Sequence, residues 1–177
     1  MNIYNNPQNR LGTLTLLTGP RGCGKTTECL ALLEQTRAAG LDVAGLISPA
    51  VFAGEQKVGI EALDLRANHA RRLAHVNHRA SLAGLSTPGW IFDEAVMAWG
   101  NAVLQAAPPC DWLIIDELGP LEWEQGRGWL AGLAAVDSGA YRRAVVVVRP
   151  NLLPLALARW PHAAVIQLEA RKPAALA

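Results

Sequence analysis

The sequence predicts an α/β fold: a mostly parallel central sheet covered by helices on both faces, with a small antiparallel insertion. Three observations carry this reading. TLTLLT (13–18), WLIID (112–116) and AVVVV (144–148) are continuous apolar runs, the pattern of strands buried on both faces. Segments with apolar residues at helical spacing lie between them. KVGIEALDL (57–65) instead alternates apolar and polar residues after the turn Ala53-Gly54-Glu55, as one strand of a hairpin does.

In chain order, the strand at 13–18 runs into glycines, after which Leu30, Leu32 and Leu33 fall at helical spacing and Gly40 ends the helix. VAGLISPAV (43–51) reads as a second strand, and the antiparallel insertion is expected near residues 43–75. Residues 66–81 are basic and contain no acidic side chain; 71–75 read as a short strand and the rest as a loop. Residues 89–92 form a short extended piece. Asp93 then stands at a helix N-cap, ahead of an apolar stripe of Val96, Met97, Trp99, Val103 and Leu104. Pro108-Pro109 breaks that helix. The strand 112–116 follows, then a helix over 126–136, the strand 144–148, a helix within NLLPLALARW (151–160) and a last strand at 164–168. With no internal repeat or low-complexity segment, residues 1–177 are expected to form a single domain.

Composition narrows the function. The chain is 51% hydrophobic and 18% charged with a formal net charge of +1, so it is neither disordered nor a general polyanion binder, and nucleic acid is not a favoured partner. The polar start MNIYNNPQNR has no apolar signal region, and no apolar run approaches the ~20 residues of a membrane span. Cys23, Cys29 and Cys110 lack paired metal spacing and suit a reducing compartment, so a cytoplasmic location without a membrane partner is expected. No protein partner can be read from the residues.

Gly19, Pro20, Arg21, Gly22, Cys23, Gly24, Lys25 and Thr26 satisfy G-x-x-x-x-G-K-[ST], between a strand and a helix. The glycines let successive backbone N–H groups turn into one cavity at a helix N-terminus, where partial positive charge favours phosphate. Lys25 is expected to reach the β- and γ-phosphates, Thr26 to ligate Mg²⁺ and Thr27 to bond the α-phosphate. Cys23 reads as a small residue at a variable loop position, with a thiolate redox switch as the alternative.

WLIIDELGPLE (112–122) supplies the acidic partner. Its apolar run ends in Asp116-Glu117 at the C-terminal tip of a strand, where ligands of open parallel sheets gather. Asp116 is expected to hold Mg²⁺. A carboxylate one step further, Glu117, can face the γ-phosphate and orient an attacking water.

On these residues the chain resembles the nucleoside-triphosphatase family of P-loop proteins first known from thermophiles, which includes a human cancer-related member. The phosphate loop, GLISPAV, VGIEALDL and DELGPLE each match the family pattern, over nearly all of the chain. The resemblance implies a P-loop NTPase fold, Mg²⁺ dependence and hydrolysis of several nucleoside triphosphates to diphosphates. It assigns phosphate binding to residues 19–27, and metal and water handling to Asp116 and Glu117. Glu122 also falls on a motif position, with a cap or salt bridge as its equal alternative. Two departures stand out: Pro120 occupies a position that is basic in many members, and Arg149 follows AVVVV where a small polar residue is common. Arg149 either reaches the γ-phosphate or is an ordinary strand-end arginine.

Arg66, Arg71, Arg72 and Arg79 with His69, His75 and His78 read as a solvated basic loop rather than a phosphate-backbone clamp, since no aromatic residue is interleaved. His75 and His78 lack metal-site spacing. The six tryptophans read mainly as packing residues, Trp90 and Trp123 having a surface role as the alternative. The leading function is thus a nucleoside-triphosphatase. A nucleotide or small-molecule kinase, and an assembly factor reset by slow hydrolysis, are the competing readings.

Overall fold

The computed structural model describes residues 12–77 and 84–170. Among these, ten strands form one sheet. Its parallel part runs β10 (Ala164–Gln167), β1 (Thr13–Thr18), β9 (Tyr141–Val148), β8 (Cys110–Leu118), β2 (Val43–Ile47). It continues without a break into antiparallel β4 (Gln56–Asp64), β5 (His69–Val76), β7 (Trp90–Phe92) and β6 (Ser86–Thr87), with β3 (Ala50–Ala53) paired to β4 alone.

The continuous apolar runs fold as their composition demands. In β8, Leu113 and Ile115 turn to one face and Ile114 to the other, and all three are fully buried. The first face, with Leu14, Leu16, Val146 and Val148, packs under α2 (Glu94–Gln105), α4 (Leu130–Asp137) and α5 (Leu153–Arg159). The second face, with Leu17 and Val147, packs under α1 (Lys25–Ala38), whose buried Cys29, Leu33 and Thr36 recur at helical spacing. The expected N-cap is present: the Asp93 carboxylate accepts from the Ala95 and Val96 amides at 2.9 and 3.0 Å.

Four local expectations change. The stretch 43–51 is two strands, because Ser48-Pro49 interrupts it and Pro49 has no N–H for a ladder. The antiparallel part spans 50–92 rather than 43–75, since β2 pairs parallel with β8 and the late strands β6 and β7 extend the sheet. The basic stretch is mostly strand: β5 covers His69–Val76, while His78 and Arg79 lie outside the described residues. The helix expected over 126–136 starts only at Leu130, preceded by the single turn α3 (Pro120–Trp123). Gly128 explains the delay. It holds φ at +76°, and a Cβ there would come within 2.0 Å of the Glu122 carboxylate.

Candidate active site

The phosphate loop hangs between β1 and α1. Gly19 leaves the strand at φ +148°, where a Cβ would lie 2.5 Å from the Leu168 carbonyl oxygen and 2.9 Å from the Cys23 sulfur. Only glycine fits there, because the end of β10 abuts the loop: the Leu168 amide donates to the Thr18 carbonyl at 2.8 Å. Cys23 is buried in this packing, as the small-residue reading requires. The Lys25 ammonium folds over the loop and donates to the Gly19 and Pro20 carbonyls at 2.7 and 2.9 Å. Arg21 and Thr27 are exposed, and Thr26 is half-buried at the start of α1.

Facing the loop is the tip of β8. Between Ile115 and Leu118 that strand takes three steps while β9 takes two, from Val146 to Val148, so a bulge sits at Asp116-Glu117. The bulge turns the two carboxylates out of the regular ladder. Asp116 is 3% exposed and accepts from the Ser48 amide at 3.4 Å. Burial raises its pKa to about 6, against the pull of the Thr26 side chain, the Ser48 amide and the Lys25 ammonium, while Glu117 adds to the rise. The side chains of Thr26 and Asp116 therefore meet across the fold. Their donors, a hydroxyl and a buried carboxylate, are the hard oxygen atoms Mg²⁺ takes, and a buried carboxylate beside a second one is the place where a cation removes most repulsion. Among the described residues no cluster of three or more His, Cys, Asp or Glu forms a protein-only metal cage.

Glu117 is less buried than Asp116 and is engaged: the Arg149 Nε donates to its carboxylate at 2.5 Å. The strand-end arginine of β9 thus lies at the site. Glu122 resolves toward structure. Its buried carboxylate accepts from the Gly119 and Trp129 amides, both at 2.7 Å, and so ties the end of β8 to the start of α4. Trp123 also packs, edge-on to Trp160 with ring centres 5.4 Å apart, its indole N–H donating to the Leu118 carbonyl.

The basic stretch divides. Arg66 is a structural clamp on Asp42 and on the carbonyls of Ala106, Ala107 and Pro109. Arg71 stacks on Trp99 of α2 at 4.6 Å, an aromatic partner that only the fold supplies. The residue that sequence reasoning missed is Lys57. It lies on the 57–65 hairpin strand with no local motif, yet in the fold its ammonium feels Arg21, Asp116, Glu117 and Arg149.

The family model described as NTPase matches residues 15–127, which contain the phosphate loop, Lys57 and the acid pair. The nucleoside-triphosphatase THEP1 of Methanopyrus kandleri is 30% identical over 89% of this chain and 81% of its own length. The chain belongs to this NTPase family. A second relative, nucleoside-triphosphatase THEP1 of Methanocaldococcus jannaschii, is 32% identical, and the match spans 61% of this chain and 62% of that protein. Two solved structures share the NTPase fold. The solution structure of a human cancer-related nucleoside triphosphatase has a TM-score of 0.66 at 19% identity, covering 88% of each chain. The crystal structure of THEP1 from Aquifex aeolicus has a TM-score of 0.62 at 16% identity, covering 89% of this chain and 90% of that one. Among the described residues of this NTPase no helix is long and apolar enough to cross a membrane.

Proposed function

We propose that this NTPase-family chain hydrolyses ATP, GTP and other nucleoside triphosphates to diphosphate and phosphate in a Mg²⁺-dependent reaction, with the attacking water oriented by Glu117. The observation that supports it most is the bulge of β8, which sets Asp116 against Thr26 and Lys25 at the start of α1 and leaves Glu117 beside it, paired with Arg149. Backbone N–H groups of the loop 19–27, Pro20 excepted, bind the phosphates, and Lys25 exchanges the Gly19 and Pro20 carbonyls for the β- and γ-oxygens. Thr26 and Asp116, whose side chains meet, would hold the Mg²⁺. A bound Mg²⁺ would supply neutralisation of the negative charge on the substrate phosphates.

Glu117 accepts a hydrogen bond from the water and aligns it with the γ-phosphorus. Its present partner, Arg149, is half exposed and so free to leave. The guanidinium passes from the Glu117 carboxylate to the γ-phosphate, which frees Glu117 for the water and adds positive charge where the transition state needs it.

The test is phosphate release from ATP, GTP, CTP and UTP with Mg²⁺, alongside nucleotide binding, for wild type and Glu117→Gln. Wild type is expected to release phosphate, and the variant to lose on the order of a hundredfold in kcat while still binding nucleotide. If both proteins bind nucleotide and neither releases phosphate, hydrolysis is the wrong reaction. Label appearing on an acceptor would then identify a kinase.

A further inference from the structure

Strand order brings Lys57 to the phosphate site from outside every motif. β2 and β4 pair only at Leu46–Asp64 and Ile47–Leu63. Because they are antiparallel, the part of β4 before Leu63 runs on past the C-terminal tip of β2, the edge where the Ser48 amide meets Asp116. The β3–β4 ladder then slips. Val51 faces Gly59 but Phe52 faces Lys57, leaving Val58 as the extra residue of a bulge. Such bulges re-aim the neighbouring side chain.

The re-aimed Lys57 ammonium lies 4.8 Å from the centre of the Trp90 ring of β7, a contact that steadies a cation without neutralising it. Lys57 is half-buried, and among the described residues it takes part in no ion pair. Burial and then Arg21 lower its pKa, Asp116 and Glu117 raise it, and Arg149 lowers it. Arg21 belongs to the phosphate loop, Asp116 and Glu117 to the acidic tip of β8, and Arg149 to the adjoining tip of β9. A half-buried cation that feels Asp116 and Glu117 but, among the described residues, pairs directly with neither has room to take an anion.

We propose that Lys57 is a further substrate-contacting residue, its ammonium carried in by the β3–β4 hairpin to bind the γ-phosphate from the side opposite the phosphate loop. The contact itself needs only nucleotide binding; its effect on rate rests on the hydrolase reading above. In that reaction the water oxygen bonds to the γ-phosphorus as the bond to the β–γ bridging oxygen breaks. The water's proton passes to Glu117, and the electron pair of the broken bond leaves with the nucleoside diphosphate. Lys57 counters the negative charge on the γ-phosphoryl oxygens throughout.

The experiment compares wild type, Lys57→Gln and Lys57→Arg by titration with a non-hydrolysable Mg²⁺–ATP analogue and with Mg²⁺–ADP, and by phosphate release from ATP. The preference for triphosphate over diphosphate is expected to fall about tenfold in Lys57→Gln, the size of one lost charge-assisted contact, and to recover in Lys57→Arg. Phosphate release is expected to fall on the order of a hundredfold in Lys57→Gln. An unchanged triphosphate preference overturns the proposal whatever the turnover. Equal weakening of both nucleotides in both variants also overturns it, since that reports a packing role. Wild-type protein that binds nucleotide without releasing phosphate sinks the hydrolase reading instead, and the preference ratio still decides Lys57.

Discussion

In β8 the four residues Leu113, Ile114, Ile115 and Asp116 are all buried, whereas in β4, a strand of equal length, only Gly59 and Ala62 are. The contrast separates the two halves of the sheet. The parallel strands lie between α1 on one side and α2 and α4 on the other, so their middles must be apolar and only their tips can carry chemistry. The antiparallel arm is less completely covered. β5 leaves His69, Arg71 and Arg72 exposed, and β4 keeps Lys57 half in solvent. Full coverage therefore concentrates function in short contiguous motifs, while partial coverage lets a charged side chain stand anywhere along a strand.

The strongest way to break this contrast is at the loop of the parallel half. Lys25→Ala is expected to lower kcat/KM for ATP on the order of a thousandfold and to weaken binding of triphosphate and diphosphate alike. Near-normal turnover in that variant would mean that the loop does not hold the reacting phosphate. Next comes Arg149→Gln at the tip of β9. If the guanidinium moves to the γ-phosphate, kcat falls on the order of a hundredfold with little change in ADP affinity. A rate within about twofold of wild type would return Arg149 to the status of an ordinary strand-end arginine.

Two stability measurements sharpen the comparison. Glu122→Ala strips the buried Gly119 and Trp129 amides of their acceptor, and chemical denaturation should show a loss of about 2–4 kcal/mol. A loss under about 0.5 kcal/mol would remove Glu122 from the joint between β8 and α4. The smallest effect belongs to Asp137, paired with Arg159 on the surface between α4 and α5. Burial raises its pKa, but hydrogen bonds from Arg159 and Trp160 outweigh that and leave it below the ordinary value of 3.8. A depressed carboxylate stabilises the fold above its unfolded pKa, and the contribution fades as pH falls through the folded one. Both side chains are more than a third exposed, so screening keeps the term under about 1 kcal/mol. Asp137→Asn should therefore lower Tm slightly at pH 7, and the gap to wild type should close below about pH 3.8. A gap that widens in acid would contradict the assignment.

Much of this site is legible in the chain because its parts are local. Residues 19–27 are adjacent, and the run before Asp116 announces a buried strand that ends in acid. The helix cap at Asp93 was equally plain, since the cap and the amides it accepts from lie within three residues. The fold departs from the sequence pattern where local propensity is overruled. Gly126 and Gly128 took left-handed conformations that postponed α4, and Ser48-Pro49 cut one expected strand into two. Glu122 matched a motif without revealing whether it served chemistry or structure, because its partner Trp129 lies beyond the next turn.

By itself, then, the sequence determined the phosphate loop, the buried strands and the acidic tip, all of which depend on the order of neighbouring residues and on the periodicity of burial. Tertiary structure alone decided that Arg149 meets Glu117 across 32 residues, that the Ser48 amide meets Asp116 across 68, and that the Lys57 ammonium lies on the Trp90 ring. Those encounters follow from strand order and from two bulges. Neither leaves a periodic trace, because both arise from how separate strands pair rather than from which residues adjoin.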